Sequence, residues 1–414
     1  MNTNWAGNVR FSTDRTAHPA TIPELQEAVA AADRVRAVGT AHSFNDIADT
    51  TGLMVSTAAL PADVRVAPDR RTASVPAGAP FAHVARALHA EGLALGNMGS
   101  LPHISVAGAV ATGTHGSGDA NPVLSGYVAA IEYVRADGAL ARVSRGDDAF
   151  DGSVVALGAL GIATRLDLDV RESFDLRQDL FLDAPWEPVL DAFDALTAGA
   201  YSTSLFIQDW ASPAITQVLL KHHTEPRLPD GVTARRSRAR AVSPVAGASD
   251  DTVTLQGGAM GPWLERLPHF RHDAPPSNAG DELQSEYFVD RAHLPQVLRE
   301  LRREADAVNP ALLVSEIRTM AADGLWLSGA HHRPTAGVHF TWKPDMPAVR
   351  AALAAVERVL DRHDARPHWG KLAGPAFADR LARFPRGRDF AELAAHNDPS
   401  GKFRNAYLDR VLGA

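Results

Sequence analysis

The chain of 414 residues has no cysteine, which excludes disulfides, thiolate-bound zinc and attachment of a prosthetic group through a thiol. No apolar run approaches the roughly 18 residues of a membrane span. The opening Met1-Asn2-Thr3-Asn4-Trp5-Ala6 has no basic stretch followed by an apolar one, so no secretory signal is expected and the cytoplasm is the expected compartment. Positive charge is in deficit: 41 Lys and Arg face 49 Asp and Glu, a net charge of −8 that gives no reason to expect nucleic acid or an anionic membrane as partner. There are 17 histidines but no His-Glu-x-x-His or comparable spacing, so no metal site is expected and a metal hydrolase is disfavoured. Repeats and low-complexity segments are also missing.

What is present is an ordinary globular composition, 45% hydrophobic and 22% charged, in a chain long enough for two domains. Thr21-Ile22-Pro23-Glu24 has the capping-box pattern, and Ile22, Leu25, Ala28 and Val29 follow at helical spacing, which predicts a helix over 22–33. A strand is expected at 34–38 and a hairpin at 64–75 about Asp69-Arg70-Arg71. Phe81, Val84, Ala85 and Leu88 predict a helix over 80–91 with Gly92 as its stop. Residues 127–144 alternate as strands and turn at Asp137-Gly138. Together these make 1–170 an α+β unit. Over 171–365, strand-like runs at 204–208, 217–220, 312–319 and 338–342 alternate with helical patterns at 291–308 and 348–363. Between them 222–262 is Pro/Gly-rich, and its run Arg235-Arg236-Ser237-Arg238-Ala239-Arg240 reads as a solvated loop. The tail over 397–405 reads as a compact turn.

Two stretches of small residues stand out. Val38-Gly39-Thr40-Ala41-His42-Ser43 follows the strand at 34–38, and Gly108-Ala109-Val110-Ala111-Thr112-Gly113-Thr114-His115-Gly116-Ser117-Gly118 is the second. Small side chains let backbone N–H groups close on a bulky anion. His42 ends the first loop, where an imidazole is a neutral nucleophile near pH 7 that Ser43 could orient; the bland alternative is a turn histidine bonded to its neighbours. His115 is expected to bond backbone. In Ser315-Glu316-Ile317-Arg318-Thr319 the period of two puts Glu316 and Arg318 on one face, and in Val338-His339-Phe340-Thr341-Trp342 it pairs His339 with Thr341. By pattern alone, a solvent-exposed face with an ordinary salt bridge is equally compatible. Arg366-Pro367-His368-Trp369-Gly370-Lys371 ends in a lysine that would, in isolation, read as a surface residue.

In order along nearly the whole chain, Asn4-Trp5-Ala6-Gly7-Asn8, His42-Ser43-Phe44-Asn45-Asp46, Asn97-Met98-Gly99-Ser100-Leu101-Pro102-His103-Ile104-Ser105-Val106-Ala107-Gly108, the loop at 111–118, and the 316–319, 339–342 and 367–371 pieces resemble the alditol (xylitol) oxidases of the vanillyl-alcohol oxidase superfamily. The resemblance implies an α+β fold with a PCMH-type FAD-binding domain over 1–170, completed by 372–414. A substrate-binding cap domain over 171–371 would cover the flavin with a sheet. It implies FAD held covalently through His42, with Val38, Gly39, Thr40, Ala41 and Ser43 around the pyrophosphate. Ser100, Ser105, Gly108, Thr112, Gly113, His115, Gly116, Ile162 and His368 would pack on the same cofactor. Ser100, Glu316, Arg318, Thr341 and Lys371 match the polyol-binding residues, and Arg318, Lys371, Glu316 and His339 the groups of the chemical step. Ala41 departs from the family, which has glycine or a larger residue before the histidine, and Gly99 stands where a relative can carry alanine.

The implied activity is oxidation of a terminal primary alcohol of an alditol to the aldose, with O2 reduced to H2O2, by a monomer whose partners are the polyol and O2. Either Lys371 or His339 could relay the hydroxyl proton. The nearest alternative is an aldonolactone oxidase of the same superfamily, which would share the flavin loops; another is a flavin- or sugar-binding protein without turnover.

Overall fold

Helix α1 (Ile22–Ala31) begins at Thr21, whose hydroxyl accepts the Glu24 N–H at 3.3 Å. Glu24 reaches back to the N–H of Ala20 at 2.8 Å, one residue earlier than the simplest capping box. The chain then enters β1 (Val35–Ala37), paired in parallel with β2 (Leu53–Val55). After β3 (Thr72–Pro76), helix α2 (Phe81–Ala90) buries Phe81, Val84, Ala85 and Leu88 and stops at Gly92, whose φ of +71° only glycine adopts without strain. The short α3 (Val106–Ala111) runs into the start of the second small-residue stretch. The hairpin β4 (Val128–Val134) and β5 (Leu140–Ser144) turns at Gly138, and β6 (Ile162–Asp169) completes a five-stranded antiparallel sheet in the order Arg65–Val66, β3, β6, β4, β5.

A computed structural model describes residues 2–275 and 280–413 and shows helices and sheets in two domains. The second sheet has nine strands and is antiparallel. It comprises β7 (Asp175–Pro185), β8 (Ser202–Ile207), β9 (Ala214–His222), β10 (Leu283–Asp290), β11 (Leu312–Met320) and β12 (Thr335–Trp342). Their order is β7-β9-β8-β11-β12-β10, with short strands at Arg235–Arg236, Gly261–Pro262 and Arg366–Pro367. One face carries Leu205, Val218, Tyr287, Ile317, Val338 and Phe340 into a core shared with α4 (Leu294–Arg302) and α5 (Met346–Asp361). By the period of two the other face of the same strands is turned away from that core, toward the first domain. Helices α6 (Gly387–Asn397) and α7 (Ala406–Leu412) return to the first domain, where the Asn405 amide donates to the carbonyls of Asp46, Ile47 and Asp49.

Two expectations change. The helix at 291–308 is broken: a 3-10 turn covers Arg291–His293, and α4 ends where the Arg303 and Glu304 N–H groups bond back only three residues, before a last turn at Ala305–Val308. The arginine run is not wholly a solvated loop, because Arg235–Arg236 is an edge strand on β7 and the Arg236 guanidinium pairs with the buried carboxylate of Asp179. No helix among the described residues is long and apolar enough to cross a membrane.

Candidate active site

The two small-residue loops, β11, β12 and the turn before Lys371 line a single cleft between the domains. The first loop is pinned from three sides. Asn4 donates to the Ser43 carbonyl at 2.9 Å and Asn8 to that of Phe44 at 2.8 Å, while Trp5 stacks on His42 with centroids 4.8 Å apart. Asn45 donates to the carbonyls of Trp369 (2.8 Å) and Lys371 (2.9 Å), which ties the loop to the lysine turn. From below, Arg36 is buried and gives its guanidinium to the carbonyls of Phe403 (2.9 Å), Leu157 (2.8 Å) and Gly158 (3.0 Å), and burial lowers its pKa to about 10.

His42 Nδ1 lies 3.1 Å from both the carbonyl and the hydroxyl of Thr40, and Nε2 is buried with no hydrogen-bond partner. Burial lowers its pKa to about 4, which keeps the ring neutral. Ala41 sits at φ 56°, in the left-handed region that costs a side chain about 1–2 kcal/mol. The Ala41 carbonyl accepts the Trp5 N–H at 2.9 Å, which holds that conformation. Gly39 and Gly108 open the loops beside Ser105, where a Cβ would collide with Ser105 Oγ, at 2.8 Å from position 108. A Cβ at Gly99 meets nothing nearer than 3.6 Å, so alanine fits there. The unpaired nitrogen of His42 and the small-residue lining of the cleft fit a large anionic cofactor such as FAD.

Val38, Gly39, Thr40, Ala41, His42, Ser43, Ser100, Ser105, Gly108, Thr112, His115 and His368 all line the cleft. Gly113, Gly116 and Ile162 do not; Ile162 points into a separate apolar cluster with Leu25 and Val29, while its neighbours Gly161 and Ala163 reach the cleft.

The polar faces of β11 and β12 are buried rather than solvated: Glu316, Arg318, His339 and Thr341 are 5–6% exposed. In register, Glu316 stands opposite His339, and His339 opposite Glu286 of β10. Glu286 is a central residue that the sequence reading does not pick out. It is fully buried and takes Lys371 Nζ at 2.7 Å, His115 Nε2 at 2.9 Å and Arg318 Nη2 at 3.0 Å, with His339 Nδ1 at 3.4 Å. Burial works to raise its pKa, but Lys371, His115, Arg318 and His339 outweigh it and hold the carboxyl well below the usual range. Its strand runs Gln284-Ser285-Glu286, polar on both faces, which hides the alternation; parity with the paired strands is the signal that could have found it.

Lys371 Nζ also lies 2.7 Å from His339 Nδ1, and His339 Nε2 lies 3.0 Å from Thr341 Oγ1. An ammonium only donates, so His339 accepts at Nδ1 and carries its proton on Nε2. Burial, then Lys371, lowers the His339 pKa to about 4, and burial lowers that of Lys371. Arg318 bridges the domains, donating to Ser100 Oγ and to the His115 carbonyl, both at 3.3 Å. Burial opposes ionisation of Glu316, but Arg318 and His269 keep it well below the usual carboxyl range. His115, expected to bond backbone, does so through Nδ1 to the Gly116 carbonyl at 2.8 Å, and it also meets Glu286.

Residues 13–144 match the family model of an FAD binding domain, and 281–411 that of D-arabinono-1,4-lactone oxidase. An alditol oxidase from Streptomyces sp. (strain IKD472 / FERM P-14339) is 46% identical over 413 residues, covering 99% of this chain and 98% of that protein. The chain belongs to the alditol oxidase family. Lactone-acting relatives stand further off: an L-gulono-1,4-lactone dehydrogenase of Mycobacterium tuberculosis is 28% identical, and an L-gulonolactone oxidase of Mus musculus 25%, each over 99% of this chain and 98% and 97% of theirs. A crystal structure of cholesterol oxidase from B. sterolicum, at 15% identity, superimposes with a TM-score of 0.78 over 99% of this chain and 96% of its own, which shows the shared fold. As an alditol oxidase family member the chain is an FAD-binding oxidoreductase.

Proposed function

We propose that the protein oxidises the terminal primary alcohol of open-chain alditols such as xylitol and sorbitol to the aldose, with O2 reduced to H2O2. The observation that carries this reading is the buried polar wall of Glu316, Arg318, His339 and Thr341 facing the cofactor loops, with Lys371 beside it. Such a wall offers a partner to each hydroxyl of an extended polyol, and an apolar alcohol would leave those groups unpaired. FAD, when bound, is the two-electron acceptor for the alcohol and the donor to O2. Arg318 and Lys371 stabilise negative charge that develops as the hydroxyl loses its proton. Glu286 holds both cations at 2.7–3.0 Å and so fixes where that charge is met. Lys371 Nζ and His339 Nδ1, 2.7 Å apart, relay the hydroxyl proton: Lys371 passes a proton to Nδ1 as it takes up that of the hydroxyl. Ser100, Glu316 and Thr341 bind the remaining hydroxyls.

The flavin is attached covalently at His42; in support, this imidazole is neutral, lines the cleft and has an unpaired nitrogen. Residues 1–170 with 372–414 form the unit that holds FAD, and 171–371 the cap. The tail's bonds to the Asp46–Asp49 turn and to Arg36 support that division. Oxidation of an aldonolactone is the second reading, favoured by the match of 281–411 to the lactone oxidase model. In the test, xylitol is added to the flavin-loaded protein without oxygen. Loss of the visible flavin absorbance, restored by air with release of H2O2, is the expected result; a spectrum that xylitol leaves unchanged refutes the proposal.

A further inference from the structure

Behind Glu316, on the cleft-facing side of the nine-stranded sheet, lies a cation that touches neither loop nor cleft. Lys221 of β9 is 1% exposed, and among the described residues it forms no ion pair with a carboxylate. Its ammonium donates to the Leu267 carbonyl and stands 3.3 Å from His269 Nδ1. Burial lowers the Lys221 pKa to about 7; in its ammonium form, with three donors and no acceptor, it requires a lone pair on Nδ1, which leaves the ring proton on Nε2. That nitrogen is 2.7 Å from Glu316 Oε1. The carboxylate at one end and the ammonium at the other therefore select the same tautomer. The ring is fixed in place as well: the His269 N–H donates to the Ser100 carbonyl at 3.2 Å, its own carbonyl accepts from Thr254 at 2.8 Å, and Phe206 meets it edge-on at 5.4 Å. Burial, then Lys221, lowers the His269 pKa to about 4, so the imidazole stays neutral beside an ionised Glu316.

We propose that Lys221 and His269 are positioning residues for Glu316. By occupying Oε1 through a neutral imidazole, they leave Oε2 as the acceptor for a polyol hydroxyl beyond the reacting carbon and its neighbour. This rests on the alditol reading above and deepens it by assigning the choice of longer polyols to a pair that does not touch the reacting atoms. A buried ammonium without a carboxylate is costly to fold, and an apolar side chain of similar volume serves stability better. A positioning role therefore predicts stability and selectivity moving in opposite directions when Lys221 is replaced.

The experiment compares flavin-loaded wild type, Lys221→Met, His269→Leu and His269→Gln, each with xylitol and with 1,2-propanediol, which has no hydroxyl beyond the second carbon. A hydrogen bond to a charged group corresponds to a change of about tenfold or more. In Lys221→Met and His269→Leu, the ratio of kcat/KM for xylitol to that for 1,2-propanediol is expected to fall by about that factor. Most of the loss should appear in the KM for xylitol, and the thermal midpoint of Lys221→Met should stay at or above that of wild type. His269→Gln, whose amide still donates to Glu316, is expected to recover most of the ratio. An unchanged ratio in Lys221→Met and His269→Leu, or an equal loss on both substrates, overturns the positioning role. Wild type that fails to oxidise xylitol overturns instead the alditol reading on which it rests.

Discussion

Replacing Glu286 by glutamine keeps the shape of the side chain and removes its charge. In the wild type this carboxylate is 0% exposed and neutralises Lys371 at 2.7 Å and Arg318 at 3.0 Å, with His115 at 2.9 Å. The variant leaves the buried Arg318 and the part-buried Lys371 facing each other around a neutral amide. Removing one partner of a buried ion pair costs about 3–5 kcal/mol, because the remaining charge loses its partner without regaining water. The sign with pH follows from the depressed Glu286 pKa. A carboxyl held below its ordinary 4.5 contributes stability that is fully present above that value and is lost as pH falls through the lower folded value. The difference between wild type and Glu286→Gln should therefore be flat from about pH 5 to pH 8 and shrink in more acid solution. Urea unfolding followed by tryptophan fluorescence reads this directly, since Trp186, Trp210 and Trp342 pack in the core behind the same sheet. Anaerobic flavin reduction by xylitol should slow by about 10²–10³ in the same variant, because Arg318 and Lys371 lose the group that aims them. A stability change under about 0.5 kcal/mol at pH 7, or a change that grows on acidification, would refute the reasoning.

Acid precipitation should leave yellow colour in the wild-type pellet, and in His42→Ala should release any bound flavin to the supernatant; free flavin from the wild type sinks the covalent link. Lys371→Met should lower the rate of anaerobic reduction by about 10²–10³ while the protein still folds, read by stopped-flow absorbance against the melting curve. Ala41→Gly relieves a left-handed backbone at φ 56° and should raise the unfolding free energy by about 0.5–1 kcal/mol, net of the freedom glycine gains when unfolded. A lowered melting temperature would contradict the strain assigned there.

The parts of this protein that obey a period were legible from its sequence. The two helices over 22–33 and 80–91 appear within two residues of expectation, because their apolar spacing and stop signals agree. The pairing of Glu316 with Arg318 and of His339 with Thr341 followed from alternation alone, since each strand carries apolar residues at the intervening positions. Whether those faces met solvent or a cleft was beyond the pattern, because that depends on which strands become neighbours. Glu286 was invisible for the same reason: its importance comes from register with His339 three strands into a sheet, and its own segment is polar at three consecutive positions. Arg36, Lys221 and His269 are charged or polar residues that read as surface groups until packing surrounds them. Asn4 and Asn8 matched the family's opening, but only the fold shows that they clamp the His42 loop from a distance of some forty residues.

The most direct measurement of the central claim is H2O2 release under air from the flavin-loaded protein, with xylitol, sorbitol, L-gulono-1,4-lactone and benzyl alcohol compared by kcat/KM in one assay. A buried wall of hydroxyl partners predicts that xylitol and sorbitol lead and benzyl alcohol falls well behind, because its ring leaves Glu316 and Thr341 without partners. A preference for the lactone or for the aromatic alcohol would contradict it.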